Sequence, residues 1–292
     1  MIYLFCFEFT KYFEVKTTSE MLVDLSRGSN KLNVNLDITM HHLPCQILAV
    51  DVSDFMGTHA LNVQGTLVKS RLSKEGKTIE TITEKSKNSI NNETFDLDQL
   101  KTSLEAGEGC RLVGSIEVLR VPGNFHISSH PFGKEIAQLI AKEEDLTFDL
   151  SHTINHISFG NDSDIHYIKH HFTQYGNLVP LDGLYTKDEK NNKLFEYYLN
   201  IVPTTYIDLN NNKYHLHQFT SNKNLVKSGM LIPTIYFRYD TSPILVKFTQ
   251  YKPNRFQAII NVCAIFGGMF TIAGILDTII LKFARNVNLK SN

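Results

Sequence analysis

The chain has 292 residues, 42% hydrophobic and 20% charged, which is enough apolar content for a sizeable core and too much for a chain disordered throughout. Its 29 basic and 30 acidic residues form no long blocks and leave a net charge of -1, which excludes the electrostatic footprint of a nucleic-acid-binding protein. β-Branched and aromatic residues crowd short alternating runs, so the expected fold is all-β dominated, with a few short helices.

The first residues, MIYLFCF, are strongly apolar but stop at Glu8. With no basic leader and no small-residue cleavage site, they read as the end of something longer, neither a complete signal sequence nor a span. Leu32, Val34, Leu36 and Ile38 then alternate with Asn33, Asn35, Asp37 and Thr39, the period of two expected of a strand with one face in a core. Further extended runs are QILAVDV, LNVQGTLV, RLVGSIEVLRV, NFHIS, FEYYLNIVPTTYIDL, KYHLHQFT, IPTIYFRYD and ILVKFTQ, separated by Gly, Pro, Asn and Asp turns in a spacing that suits a β-sandwich. The lysine-rich stretch from Ser70 to Thr94 reads as a hairpin or a mobile loop. Two segments, DLDQLKTSLEAGEG and PFGKEIAQLIAKEE, carry apolar residues at helical spacing and read as short amphipathic helices.

Phe256 to Leu276 contains no charge and is long enough for a bilayer core of about 30 Å, so it is a transmembrane helix candidate. Along it Ala264, Gly267, Thr271 and Gly274 recur at three- and four-residue spacing, a small-residue face on which another helix packs closely. Orientation does not follow from the flanks. Lys247, Lys252 and Arg255 precede the segment, and Lys282, Arg285 and Lys290 follow it.

Of the four cysteines, Cys6 and Cys263 lie in apolar stretches, while Cys45 and Cys110 lie in the body beside turn signals. In an oxidising lumen Cys45 and Cys110 pair; the alternative is two buried thiols. Twelve histidines include His166, His170 and His171 in HYIKHH, and His215 and His217, which share a face if their segment is a strand. No third ligand accompanies them at metal-site spacing, so no metal and no cofactor is expected. Asp162 and Asp164 read as a solvated turn. G-x-S-x-G, G-x-x-x-x-G-K-S/T and H-E-x-x-H are all absent, and the chain offers no catalytic residue, so it is not expected to be an enzyme. Sequons at Asn92 and Asn161 lie in polar, loop-like sequence and are candidate glycosylation sites.

Blocks spread along the chain resemble, in order, the endoplasmic reticulum vesicle proteins also called ER-Golgi intermediate compartment (ERGIC) proteins. They are LDITMHHLPCQILAVDVSD from Leu36, GCRLVGSIEVLRVPGNFHIS from Gly109, SHTINHISFG from Ser151, PLDG from Pro180, YYLNIVPTTY from Tyr197, and finally FRYDTSPILVKFTQ and CAIFGGMFTIAGILD. The resemblance implies a remnant of a first membrane helix at 1–15, a lumenal β-sandwich-like domain at 16–255, a second membrane helix at 256–281 and a cytosolic tail at 282–292. It also implies residence in ER, intermediate-compartment and Golgi membranes. The role implied is a cargo or sorting receptor, or a subunit of one, with lumenal cargo, a related family member and the vesicle coat as partners. A structural subunit that retains a partner protein, and a tail-anchored protein with a cytosolic binding domain, are the alternatives. The sequence departs from the family in lacking its cytosolic N-terminus, most of the first helix and the cysteine-rich insertion of larger members. In a lumenal domain, Cys45 and Cys110 are expected to be bonded or close in space.

Overall fold

The computed structural model describes residues 13–24, 31–54, 65–85, 97–142, 148–172, 178–188, 194–226 and 232–290, with residues 10 and 176. The apolar start with Cys6, the Asn92 sequon and residues 61–64 of LNVQGTLV lie outside the described residues. Two compact units are present, one of 19–206 and 213–247, the other of 1–18, 207–212 and 248–292.

Within the described residues the strands are β1 (Lys16–Val23), β2 (Lys31–Met40), β3 (Ala49–Asp54), β4 (Gly65–Leu72), β5 (Thr78–Lys85), β6 (Gly109–Leu119) and β7 (Gly123–Ser128). They continue as β8 (His152–Gly160), β9 (Leu184–Thr186), β10 (Leu194–Ile207), β11 (Lys213–Leu225), β12 (Thr234–Thr241) and β13 (Ile244–Tyr251). The helices are α1 (Leu97–Glu105), α2 (Gly133–Lys142), α3 (Asp162–His171) and α4 (Arg255–Lys290). The fold is sheet-rich with few short helices, as composition predicts, and β4 and β5 form a hairpin whose turn and second strand lie in the lysine-rich stretch.

One path runs through the sheet in the order β3-β7-β12-β10-β11-β8-β2-β6-β4-β5. Laid flat at about 4.8 Å per strand, β3 and β4 would stand roughly 38 Å apart. Yet Lys69 Nζ on β4 donates to the Leu48 carbonyl, beside β3, at 2.7 Å. Likewise Tyr239 on β12 donates to the Leu119 carbonyl on β6, five strands along the path, at 3.2 Å. Strands distant in the path therefore face each other, and the sheet curls into two packed layers, a sandwich-like arrangement.

Alternation decides which side chains fill the space between the layers. Along β2, Leu32, Val34, Leu36, Ile38 and Met40 are all buried while the residues between them face outward. Each contributes roughly 1.5–3 kcal/mol by leaving water. From the opposing strands Phe125, Phe237 and Tyr197 stack in a ladder across β7, β12 and β10, with centroid separations of 4.8 and 5.1 Å. Gly114 of β6, flanked by β2 and β4, lies where any Cβ would collide with the Thr66 carbonyl, so the close approach there requires glycine.

Cys45 and Cys110 are joined by a disulfide with Cα atoms 4.9 Å apart, and both are buried. Closing a sequence separation of 65 residues contributes about 4 kcal/mol on the chain-entropy account. The bond ties the start of β6 to the single 3-10 turn that leads into β3. A buried ion pair between Arg120 and Asp24, at 2.7 Å, holds the end of β1 against the residue that follows β6.

In the smaller unit α4 runs well past the predicted Leu276, and Ile259–Lys282 is long and apolar enough to cross a membrane. None of the most apolar window is buried in the protein.

Candidate functional site

The outward face of β2, β6 and β8 carries a connected polar network, and a β-bulge creates it. The β2–β8 register shifts between Asp37 and Ile38: Asp37 pairs with His156, Ile38 with Ile154. Asn155 is the extra residue, so Asn155 and His156 both face outward, opposite Asp37, while Ile154 and Ile157 stay in the core. Asn155 Nδ2 donates to Asp37 Oδ1 at 2.9 Å and to Thr39 Oγ1 at 2.8 Å. Across β6, Arg111 grips the same carboxylate with two bonds, Nε to Oδ1 at 2.9 Å and Nη2 to Oδ2 at 2.6 Å. Partial burial pushes the Asp37 pKa up, but the bonds from Arg111 and Asn155 outweigh it and hold it below the usual carboxylate range.

His156 joins a second cluster, accepting neighbours from α3 and from the loop before β9. Its Nδ1 lies 2.8 Å from Asp182 and its Nε2 3.2 Å from Asp162. Hydrogen bonds donated by the ring to Asp162 and then to Asp182 raise its pKa to about 9, so the ring is an imidazolium at neutral pH. Asp162 also accepts from Asn35 at 3.1 Å and from the Ser158 hydroxyl, and its own pKa is lowered, first of all by the His156 bond. The expected solvated turn at Asp162 and Asp164 is thus corrected: it is the first turn of α3, capped by the Asn161 side chain, which accepts from Ser163 N at 3.3 Å.

At the Met40 end of this face opens a cleft of about 520 Å³, lined by Thr39, His41, Arg111, Asn155, Tyr185 and the Ser73–Lys74 turn of the β4–β5 hairpin, among others. His41 Nε2 lies 2.8 Å from Thr153 Oγ1, and its ring meets Tyr185 edge-on at 5.6 Å. Burial, then the neighbouring His42, lowers the His41 pKa. Tyr185 is 56% exposed, a large ring on an outer strand with one side in the cleft.

The sequence-predicted residues fall elsewhere. Asn161 is exposed at the head of α3. On α4, Ala264, Gly267, Thr271 and Gly274 are exposed, and an added Cβ at Gly267 or Gly274 would meet nothing within 4 Å. The Thr271 hydroxyl bonds back to the Gly267 carbonyl at 3.0 Å, which leaves its methyl, Ala264 and the two glycines as the surface of that stripe. Cys263 is a free, exposed thiol on the same helix. His166 and His170 contact each other on α3, and His171 stacks on Tyr167. His215 bonds Thr205 Oγ1, while burial drives the pKa of His217 down to about 4. Among the described residues no three His, Cys, Asp or Glu side chains come together as a metal site. Sequence reasoning missed Asn155, Arg111 and Tyr185; only the two apolar residues at spacing three in HTINHIS, Ile154 and Ile157, signalled the bulge.

These features define a sheet-rich protein with an organised polar face and a single described helix able to cross a membrane. The chain belongs to the endoplasmic reticulum vesicle transporter family, whose profile matches residues 70–277; the ERGIC N-terminal profile matches residues 1–61. It is 34% identical to endoplasmic reticulum-Golgi intermediate compartment protein 1 of Xenopus laevis, over 95% of this chain and 82% of that one. To the protein of the same name from Danio rerio it is 30% identical, over 96% and 82% of the two chains. The crystal structure of Erv41p matches with a TM-score of 0.48 and 20% identity, covering 79% of this chain and 99% of that one. The protein is accordingly one of the membranes between endoplasmic reticulum and Golgi, with a role in vesicle transport between them.

Proposed function

We propose that the β-rich unit stands in the lumen and captures client proteins on the polar face of β2, β6 and β8, as a cargo or sorting receptor. The buried Cys45–Cys110 disulfide carries this reading. A structural disulfide belongs in an oxidising compartment, and in a family of ER-Golgi vesicle proteins that compartment is the lumen. The same bond weighs against a tail-anchored protein with a cytosolic domain. The small-residue stripe of α4 suits pairing with a related family member, and residues 282–292 are then the segment available to the coat. The strong carboxylate and histidine pairings are mutually satisfied, which fits binding better than turnover.

Two experiments in sealed microsomes test the reading. Protease added outside should leave the β-rich unit intact, and an endoglycosidase-sensitive mobility shift should vanish in the Asn92→Gln, Asn161→Gln double variant. Digestion of the unit by external protease would overturn lumenal placement. A photo-reactive residue replacing Lys74, on the rim of the cleft, should capture clients; capture of a related family member alone would establish the retaining-subunit reading instead.

A further inference from the structure

The cleft beside Tyr185 is polar but charge-compensated, and that combination restricts its ligand. One direct rung crosses six strands: Tyr185 pairs with Thr153, Thr153 with Thr39, Thr39 with Arg111, Arg111 with Ser70 and Ser70 with Thr81. Its members are hydroxyls and a guanidinium, ending at one side in an exposed aromatic ring. The Arg111 charge is taken up by the bidentate bond to Asp37, so the pair presents donors and acceptors with no net charge. His42 lies 3.6 Å from Asp149, and Lys74 stands next to Glu75 on the hairpin turn. An anionic ligand thus finds no uncompensated cluster of cations. An apolar peptide finds little to bury, because Leu72, the aliphatic residue of the lining, is itself only 7% exposed.

A neutral, polyhydroxylated molecule meets none of these objections. Its hydroxyls exchange water for planar amide, guanidinium and hydroxyl partners, and the C–H face of a sugar ring packs on an aromatic side chain that has a polar tip and an apolar body. The groups are already fixed: both donors of the Asn155 amide are engaged, which orients its carbonyl oxygen as an acceptor, and Thr39 and Arg111 are held by the same network. The cleft, about 520 Å³, lies within the roughly 300–1,000 Å³ range of small-ligand sites. We infer that the cleft is a carbohydrate site that takes a neutral oligosaccharide, with one sugar ring on Tyr185 and its hydroxyls on Asn155, Thr39 and Arg111. The inference rests on the client-binding reading above, and makes the glycan of a client glycoprotein the group recognised.

The test uses the full chain in lipid nanodiscs and neutral oligosaccharides released from secretory-pathway glycoproteins, with a glutamate-rich peptide as the competing probe. Saturation-transfer NMR should place contacts on sugar-ring protons. Affinity should fall about tenfold in Tyr185→Ala and stay within about twofold in Tyr185→Phe, which keeps the ring. Tyr185 is exposed, so both variants should melt like the parent by circular dichroism. Absence of oligosaccharide binding overturns the inference, as does binding of the acidic peptide that Tyr185→Ala weakens. Photo-capture of clients stripped of glycans separates the two levels. If it persists undiminished, the carbohydrate site fails and the receptor reading stands; if no client is captured with or without glycans, the receptor reading fails with it.

Discussion

The two sides of β2 are one residue apart in sequence and behave as different materials. Inward, Leu32 to Met40 in steps of two belong to one buried cluster with Phe125, Tyr197 and Phe237 and need only be apolar and of the right size. Outward, Asn35, Asp37 and Thr39, with His41 just past the strand end, each hold a named partner on another strand, at separations of 74 residues for Arg111 and 118 for Asn155. The contrast teaches where stability and where specificity reside: an apolar layer tolerates repacking, whereas a polar network works only if every member is present.

Ile38→Ala breaks the inner side and should have the largest effect. Ile38 is fully buried, so the change leaves a cavity in addition to the lost transfer energy, about 2–5 kcal/mol in all. The midpoint of chemical denaturation measures it. Ile38→Val, a single methyl group smaller, should cost only about 0.5–1.5 kcal/mol. Equal losses for the two would mean that the inner layer is not close-packed.

Asp37→Ala breaks the outer side and should cost less, about 1–3 kcal/mol, because Arg111 and Asn155 lose an acceptor but Arg111 still reaches water. A double-mutant cycle with Arg111→Ala should return a coupling of at least about 0.5 kcal/mol. Zero coupling would show the bidentate bond to be without energetic weight. The sharper signature is functional: on the proposed reading, Asp37→Ala should impair client capture more than Ile38→Val does at similar stability, since it disorders the floor of the cleft.

The same contrast explains what was legible in the sequence. The inner face of β2 and the apolar run of α4 show in composition and period alone, because each residue's fate depends on its own polarity. The short helices α1 and α2 were legible for the same reason, with Leu100, Ile136 and Leu139 buried at helical spacing. In α3, Ile165 and Ile168 offered the same signal, but the polar NDSD start, whose residues favour turns as much as helix N-termini, outweighed it. The outer face was illegible, since its meaning lies in which distant residue stands opposite. Arg111 gives no hint in its own neighbourhood that it will meet Asp37, and Tyr185 lies on a three-residue strand too short to show a period.

The smallest expected effect concerns His156, where the outer network carries a titrating group. Its pKa in the folded protein is about 9, against 6.5 for a free imidazole, because Asp162 and Asp182 bind the charged ring. A group whose pKa rises on folding stabilises fully below its unfolded value and loses that contribution as pH climbs through its folded value. The contribution should therefore be complete below pH about 6.5 and fade towards pH about 9 and above. The ring retains 31% side-chain exposure, so solvent screening reduces the effect to the order of 1 kcal/mol, or about 2–4 °C in Tm. Other groups titrate in this window, so the informative quantity is the difference between the parent and His156→Gln. Melting followed by circular dichroism at pH 6 and pH 9.5 should show the larger fall in Tm for the parent, with the two proteins converging at the alkaline end. A constant gap between them would mean that Asp162 and Asp182 hold the ring for its shape and not for its charge. The outer face would then resemble the inner one, a packed surface whose charges are incidental.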